Sequence, residues 1–278
     1  MLPGNKLSAN LIRRLVEFPN ATMKRLIIRL ANPEDGRAIY ALLVEAFGNR
    51  YLGYTIYQAP QSSRYLRELI KAQPRNNHHV AVAEREECVI GYYEALAESS
   101  RLMLNYLAVA TPARANGVGS VLMRHLQDVG RTLGCTELLL DVFQKNERAV
   151  AWYARQGFLP CSAVYKTRLQ LNRFVSVGSY ELECRTPEWK RALAEERLQG
   201  FSKIDVECGP GQLTMGLIAG SDCCLLAYKG VAWNEAVEAL ARCLRGLRRH
   251  LIVSTECPPD PGLPISSCDV LLRMGKAI

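Results

Sequence analysis

The sequence predicts an α+β fold with a mixed sheet, followed by a second, smaller α+β domain. Three observations predict it. The runs His79 to Ala83, Val89 to Ala97 and Leu102 to Ala110 have strand character and short polar turns between them, the pattern of an antiparallel meander. A loop with two glycines then opens a helix from Gly117 to Leu133, and a largely apolar strand, Thr136 to Phe143, follows it. After Leu171 a fresh set of strands and helices begins, which places a boundary near Arg173 in a chain of 278 residues. The expected organisation is a leader over 1–23, a first domain over 24–172 and a second over 173–278.

In the leader, Leu7, Leu11 and Leu15 with Ile12 and Val16 suit an amphipathic helix docked on the domain behind it. Arg13-Arg14 has no hydrophobic run after it, so a signal peptide is not expected. Lys24 to Leu30 reads as a strand. Asn32-Pro33-Glu34-Asp35 then opens a helix, with Asn at the cap, Pro at the first position and acids in the first turn. That helix runs to about Phe47, a Tyr-rich loop follows, and a second helix spans Gln61 to Ala72. Beyond the meander, Gly134 terminates the Gly117 helix. A helix from Glu147 to Gln156 succeeds the Thr136 strand, and Gly157-Phe158 leads into strands ending near Leu171. In the second domain Thr186-Pro187-Glu188 caps a helix to about Leu198. Strands follow at Ile204–Glu207, Leu213–Ala219 and Cys224–Tyr228, then a helix from Ala232 to Arg248, then strands Leu251–Ser254 and Val270–Met274. The sequence shows no internal repeat.

Composition narrows the function classes. Residues 49% hydrophobic and 22% charged can bury a sizeable core. No apolar run reaches the roughly 20 residues of a membrane span. The net charge of +8 sits in residues 1–172, with 22 basic against 14 acidic side chains, whereas residues 173–278 carry 13 of each. A basic first part suits an anionic ligand or an acidic partner. The ten cysteines include no C-x-x-C, and with only four histidines no zinc spacing exists, so no metal is expected. Most thiols read as small buried hydrophobes in a reducing cytoplasm.

The segment Leu107-Ala108-Val109-Ala110-Thr111-Pro112-Ala113-Arg114-Ala115-Asn116-Gly117-Val118-Gly119-Ser120 carries the chemistry. Backbone N–H groups at a helix start are unsatisfied and the helix dipole is positive there, so a strand, a glycine loop and a helix together can cradle a phosphate. A Walker loop is excluded because G-x-x-x-x-G-K-[ST] is missing, and the dinucleotide fingerprint because its third glycine is Leu122. What remains is R-x-x-G-x-G. A second block, Asn146-Glu147-Arg148-Ala149-Val150-Ala151-Trp152-Tyr153-Ala154-Arg155-Gln156-Gly157-Phe158, follows it. With both blocks, Lys24 to Leu171 resembles the GNAT superfamily of acyl-CoA-dependent N-acyltransferases, while the C-terminal part resembles nothing recognised.

The resemblance implies a GNAT fold and transfer of an acetyl group from acetyl-CoA to a primary amine, with no metal. Leu107, Ala108 and Val109 would offer backbone groups to the pantetheine arm. Arg114, Ala115, Asn116, Gly117, Val118, Gly119 and Ser120 would wrap the pyrophosphate, and Asn146 would reach the arm from the neighbouring strand. Tyr153 would be the general acid at the sulfur. Many relatives have glycine where Ala115 stands, and alanine fits if its backbone is not left-handed. The glutamate that some relatives carry on the fourth strand is here Met103. Asp141, polar within an apolar strand and placed where other relatives have an acid, is the expected general base, or else a structural carboxylate bonding backbone amides; Glu94, Glu98 and a water chain stand in reserve.

The alternative reading is a non-catalytic acyl-CoA sensor or scaffold, and a third keeps the enzyme but makes the acceptor a protein amine. A homodimer is compatible with the sequence; a nucleic-acid role is disfavoured by the neutral second domain. Arg242, Arg245, Arg248 and Arg249 read as a solvent-facing helical stripe, and His78-His79 as a surface pair. Tyr51, Tyr54, Tyr57 and Tyr65 suit either an acceptor wall or simple packing.

Overall fold

The computed structural model describes residues 13–16, 25–73, 75–173, 186–208, 211–220, 222–244 and 246–278. The chain divides into two units, neither of them a single stretch. The first comprises Met1–Asn49, Leu66–Ser162 and Leu272–Ile278; the second comprises Arg50–Tyr65 and Ala163–Leu271. This differs from the expected contiguous domains meeting near Arg173. The final strand, expected to close the second domain, gives its last residues to the first.

In the first unit, β1 (Arg13–Val16), β2 (Leu26–Leu30), β3 (His78–Arg85), β4 (Cys88–Glu98) and β5 (Arg101–Val109) form the antiparallel meander, and β6 (Glu137–Phe143) adds in parallel to β5. Arg13–Val16 is thus a strand, with Val16 opposite Leu26, where the sequence suggested part of a helix; the rest of the expected leader helix lies outside the described residues. Helix α1 (Gly36–Leu52) starts after a 3-10 turn over Pro33–Asp35 and breaks at Gly48, whose φ is 56°. Asp35 accepts the Asn32 N–H at 2.7 Å and is held by Arg29 at 2.6 and 2.9 Å, so the acid read as a helix-start signal is also an ion-pair partner. Helix α2 (Ser62–Ala72) follows the Tyr-rich segment.

Helix α3 (Val118–Thr132) buries Val118, Val121, Leu122, Leu126 and Val129 on the sheet, the spacing of an amphipathic helix. Beneath it Tyr93 Oη and His125 Nδ1 share a buried hydrogen bond of 2.8 Å. Helix α4 (Glu147–Arg155) is capped by Asn146, whose side chain accepts the Ala149 N–H at 3.3 Å. The end of β12 (Ile265–Ala277) lies beside β6, and the Ile278 N–H reaches Thr136 O at 3.1 Å.

Strand β5 is interrupted by a bulge. Glu94 faces Tyr106 and Ala95 faces Leu104, so Asn105 is an extra, bulged residue. Parallel pairing of β5 with β6 covers only Arg101–Leu104 against Glu137–Leu140. Beyond the bulge Leu107–Val109 runs on without β6 as a ladder partner.

The second unit repeats this plan, which the sequence does not show. Strand β7 (Leu159–Gln170) pairs with β11 (His250–Thr255), and β8 (Phe201–Cys208), β9 (Gly211–Ile218) and β10 (Asp222–Lys229) form an antiparallel meander. Helix α5 (Pro187–Gln199) precedes the meander, capped by Thr186 through the Trp189 N–H. Helix α6 (Trp233–Leu244) follows it, and β11 then lies parallel to β10. Here too the last strand of the meander is bulged, at Leu226, and parallel pairing stops early, at Cys224 against Ile252. The phosphate-type loop is the part not repeated: Gly230-Val231-Ala232 leads straight into α6.

Helix α6 ends four residues before Arg248, so the expected stripe is not helical. Arg248 is buried, with its guanidinium on both Glu196 oxygens at 2.8 and 2.7 Å; Arg249 is exposed, and Arg245 lies outside the described residues. The His78-His79 expectation is also corrected, because His79 is buried. The cysteines split, with Cys135, Cys208, Cys223 and Cys224 buried and Cys88, Cys161 and Cys257 exposed. Among the described residues no helix is long and apolar enough to cross a membrane, and no cluster of His, Cys, Asp or Glu could hold a metal ion.

Candidate functional site

The unpaired end of β5, the loop after it and the first turns of α3 and α4 surround a cavity of 550 Å³ in the first unit. Nine of the expected cofactor residues line it: Leu107, Ala108, Val109, Arg114, Ala115, Gly117, Gly119, Ser120 and Asn146, joined by Tyr153. Two motifs some thirty residues apart are thereby brought to one wall. Asn116 and Val118 do not line the cavity: Asn116 turns its side-chain amide to Pro112 O at 3.4 Å, and Val118 packs in the core. The sequence reading did not include Ala46, Arg148, Trp152 and Arg155, which also line it. Arg148 and Arg155 could have been found from their positions on the same helix as Tyr153.

Local backbone explains the loop. Gly117 caps α3 with φ 81°, in the left-handed region that glycine enters without cost. At Gly119 an added Cβ would come within 3.2 Å of the Trp152 ring, so this glycine lets α4 close on α3. Ala115 has φ 63°, so the condition under which alanine replaces glycine freely is not met, and the loop holds about 1 kcal/mol of strain there. Arg114 does not extend from the lip as a mobile charge: its Nε donates to Val109 O at 2.9 Å.

Tyr153 stacks edge-on with Trp152 and Phe158, with ring centroids 4.9 and 5.8 Å away. The residue as a whole is half-buried, but the phenol is packed among protein atoms, and that desolvation pushes its pKa well above the ordinary 10. Its proton is therefore present across the neutral and mildly alkaline range.

Asp141 is held in an ion pair. Arg273 Nε and Nη2 hold its two oxygens at 2.8 and 2.9 Å, a bidentate pair between β6 and β12. The carboxylate read as the base, or else as a structural group bonding backbone amides, is ion-paired with a guanidinium 132 residues away, where no local pattern could reveal it. Glu94 is 2% exposed on β4, opposite Tyr106 at the bulge, with Asn105 Nδ2 3.4 Å from Oε1. Glu98 is exposed at the far end of the same strand.

The tyrosines pack inside the second unit. Tyr57 is buried, Tyr65 meets Phe201 edge-on at 5.0 Å, and Tyr54 donates to Ser267 Oγ at 2.7 Å beneath the Arg168 guanidinium. For these three the packing reading holds.

A β5 end without its parallel neighbour, a glycine loop at a helix start and a tyrosine on the next helix thus share one cavity. Residues 37–158 match the model of the Acetyltransferase (GNAT) family, and this segment is a GNAT acetyltransferase domain; the match does not cover the C-terminal region. Streptothricin acetyltransferase of Streptomyces lavendulae is 40% identical over 73 residues, which are 25% of this chain and 39% of that protein. The chain thus matches well under half the length of that relative. Among solved structures, the tandem GNAT protein from the clavulanic acid biosynthesis pathway aligns with a TM-score of 0.61 at 14% identity, over 91% of this chain and 98% of that one. The GCN5-related N-acetyltransferase from Kribbella flavida aligns at 0.53 and 14% identity, over 93% and 72%. Both likenesses extend the fold across the second unit.

Proposed function

We propose that the chain is an N-acyltransferase that moves an acetyl group from acetyl-CoA to a primary amine by direct attack on the thioester. The observation that carries this is the single cavity on which the strand end, the glycine loop, Asn146 and Tyr153 converge. Amide groups of Leu107–Val109 extend the sheet onto the pantetheine arm, and the N–H groups of the Arg114–Ser120 loop take the diphosphate. With its side-chain oxygen used in the helix cap, Asn146 offers its NH2 to the arm.

An alkyl amine of pKa near 10.4 is protonated at neutral pH, so a proton leaves before attack. With Asp141 committed to Arg273, Glu94 takes the role of base. As the amine nitrogen bonds to the carbonyl carbon, the oxygen becomes an oxyanion, which the Val109 N–H stabilises. Collapse breaks the C–S bond; the thiolate receives a hydrogen bond from Tyr153, and the second proton of the attacking nitrogen passes through solvent to the sulfur, leaving a neutral amide and the free thiol. A free thiol titrates near 8.5, below this raised phenol, so complete proton transfer from Tyr153 is uphill and its contribution is stabilisation of the developing thiolate. Holding two reactants in register supplies roughly 7–11 kcal/mol of such a barrier.

Thiol release from acetyl-CoA with a panel of amines tests the reading. The expected result is turnover with at least one amine, reduced about 10²-fold or more in Glu94→Gln with loss of the acidic limb of the pH profile, and reduced in Tyr153→Phe. Tight acetyl-CoA binding with no turnover for any amine would instead favour the sensor or scaffold. Steep loss of turnover with salt would mark a macromolecular acceptor.

A further inference from the structure

The end of α1 carries an acidic side chain that the proposed chemistry does not use, at the mouth of the cofactor cavity. Glu45 Oε1 accepts the Thr111 N–H at 2.6 Å and lies 3.8 Å from Arg114 Nη2. Arg114 in turn holds Val109 O. One carboxylate therefore touches both ends of the turn that joins β5 to the glycine loop. The next residue along the helix, Ala46, lines the cavity itself, and Phe47 packs edge-on against Tyr106 beside the bulge at 5.7 Å. Hydrogen bonds from Thr111, side chain before backbone, hold the Glu45 carboxyl below the usual carboxylate range, so it is ionised wherever the protein would work.

A negative charge beside the mouth of an anion site is unfavourable for the anion, so its presence calls for a compensating role. We propose that Glu45 is a positioning residue that pre-sets the diphosphate-binding loop through Thr111 and, at the same time, neutralises Arg114, so that the diphosphate of an incoming acyl-CoA competes with Glu45 for that guanidinium. This rests on the acyl-CoA reading above. The two actions have opposite signs. Holding the Thr111 N–H keeps the loop shaped for the ligand and favours binding by pre-organisation. Occupying Arg114 withholds a cation from the ligand and opposes binding.

Glu45→Gln separates them, because glutamine keeps an acceptor oxygen for Thr111 and loses the charge. Glu45→Ala removes both. The test is calorimetric titration of the full chain with coenzyme A at low salt, for wild type, Glu45→Gln, Glu45→Ala, Arg114→Met and the Glu45→Gln/Arg114→Met double variant, with thermal melts to verify folding. Glu45→Gln is expected to bind about two- to fivefold more tightly than wild type, the worth of a partly exposed ion pair, and more tightly than Glu45→Ala. The gain should vanish in the Arg114→Met background and shrink as salt is raised. Wild-type affinity in Glu45→Gln, or a gain that survives loss of Arg114, overturns the competition. Equal affinity in Glu45→Gln and Glu45→Ala overturns the positioning role. Failure of every protein to bind coenzyme A overturns the acyl-CoA reading, and this inference with it.

Discussion

A buried histidine makes the core sensitive to acid. His79 is 6% exposed, its Nε2 has no hydrogen-bond partner among the described residues, and burial pushes its pKa down to about 4 from an ordinary 6.5. As pH falls below 6.5 the unfolded chain takes up a proton that the folded one refuses. Stability is therefore complete above that pH and lost progressively towards pH 4, by up to about 3 kcal/mol. Urea midpoints at pH 7.5 and 4.5 should converge in His79→Leu relative to wild type; identical pH sensitivity in the two proteins would remove His79 as the cause. The burial was partly legible, since residues 79, 81 and 83 alternate onto one strand face, but the polar neighbours Asn76, Asn77 and His78 made the pair look like surface. Ala115 shows the reverse limit: the sequence names the residue at which glycine is usual, and only the backbone angle shows that the strain is real.

At the scale of elements, local signals served best where a cap or a period defines them. Asn32-Pro33, Asn146 and Thr186 each open a helix where the cap chemistry places it, and the meander strands fall on the expected runs, β3 and β4 as continuously buried stretches. Partnership between distant strands left no local signal. The last seven residues belong to the first unit, and through Arg273 they decide what Asp141 is. Asp141→Asn is expected to lower the stability of the first unit by about 1–3 kcal/mol, discounted for partial exposure, because the Arg273 guanidinium loses its charge partner. It should leave the pH profile of acetyl transfer unchanged. A variant as stable as wild type that loses the acidic limb of that profile would restore Asp141 as the base and displace Glu94.

For the molecule as a whole, the two units share a plan of meander, bulge, helix and parallel strand, yet the sequence carries no visible repeat. A plan of this kind is kept by alternation and by one bulged residue, Asn105 or Leu226, which many side chains satisfy. The glycine loop is different: the proposed approach of its backbone to an anion constrains residue type, and so its residues stand out in the sequence. The pairing of Asp141 was not legible there, since Arg273 lies on a strand 132 residues away. The central claim is that the glycine loop of the first unit receives the diphosphate of an acyl-CoA. Calorimetric titration of the full chain with acetyl-CoA tests it, beside Gly117→Glu and Gly117→Ala, which share the backbone strain but differ in charge. Saturable binding by wild type, weakened in the alanine variant and abolished in the glutamate variant with circular dichroism intact, is the predicted result. Equal binding by all three would place the cofactor elsewhere, and absence of binding by wild type would contradict the account.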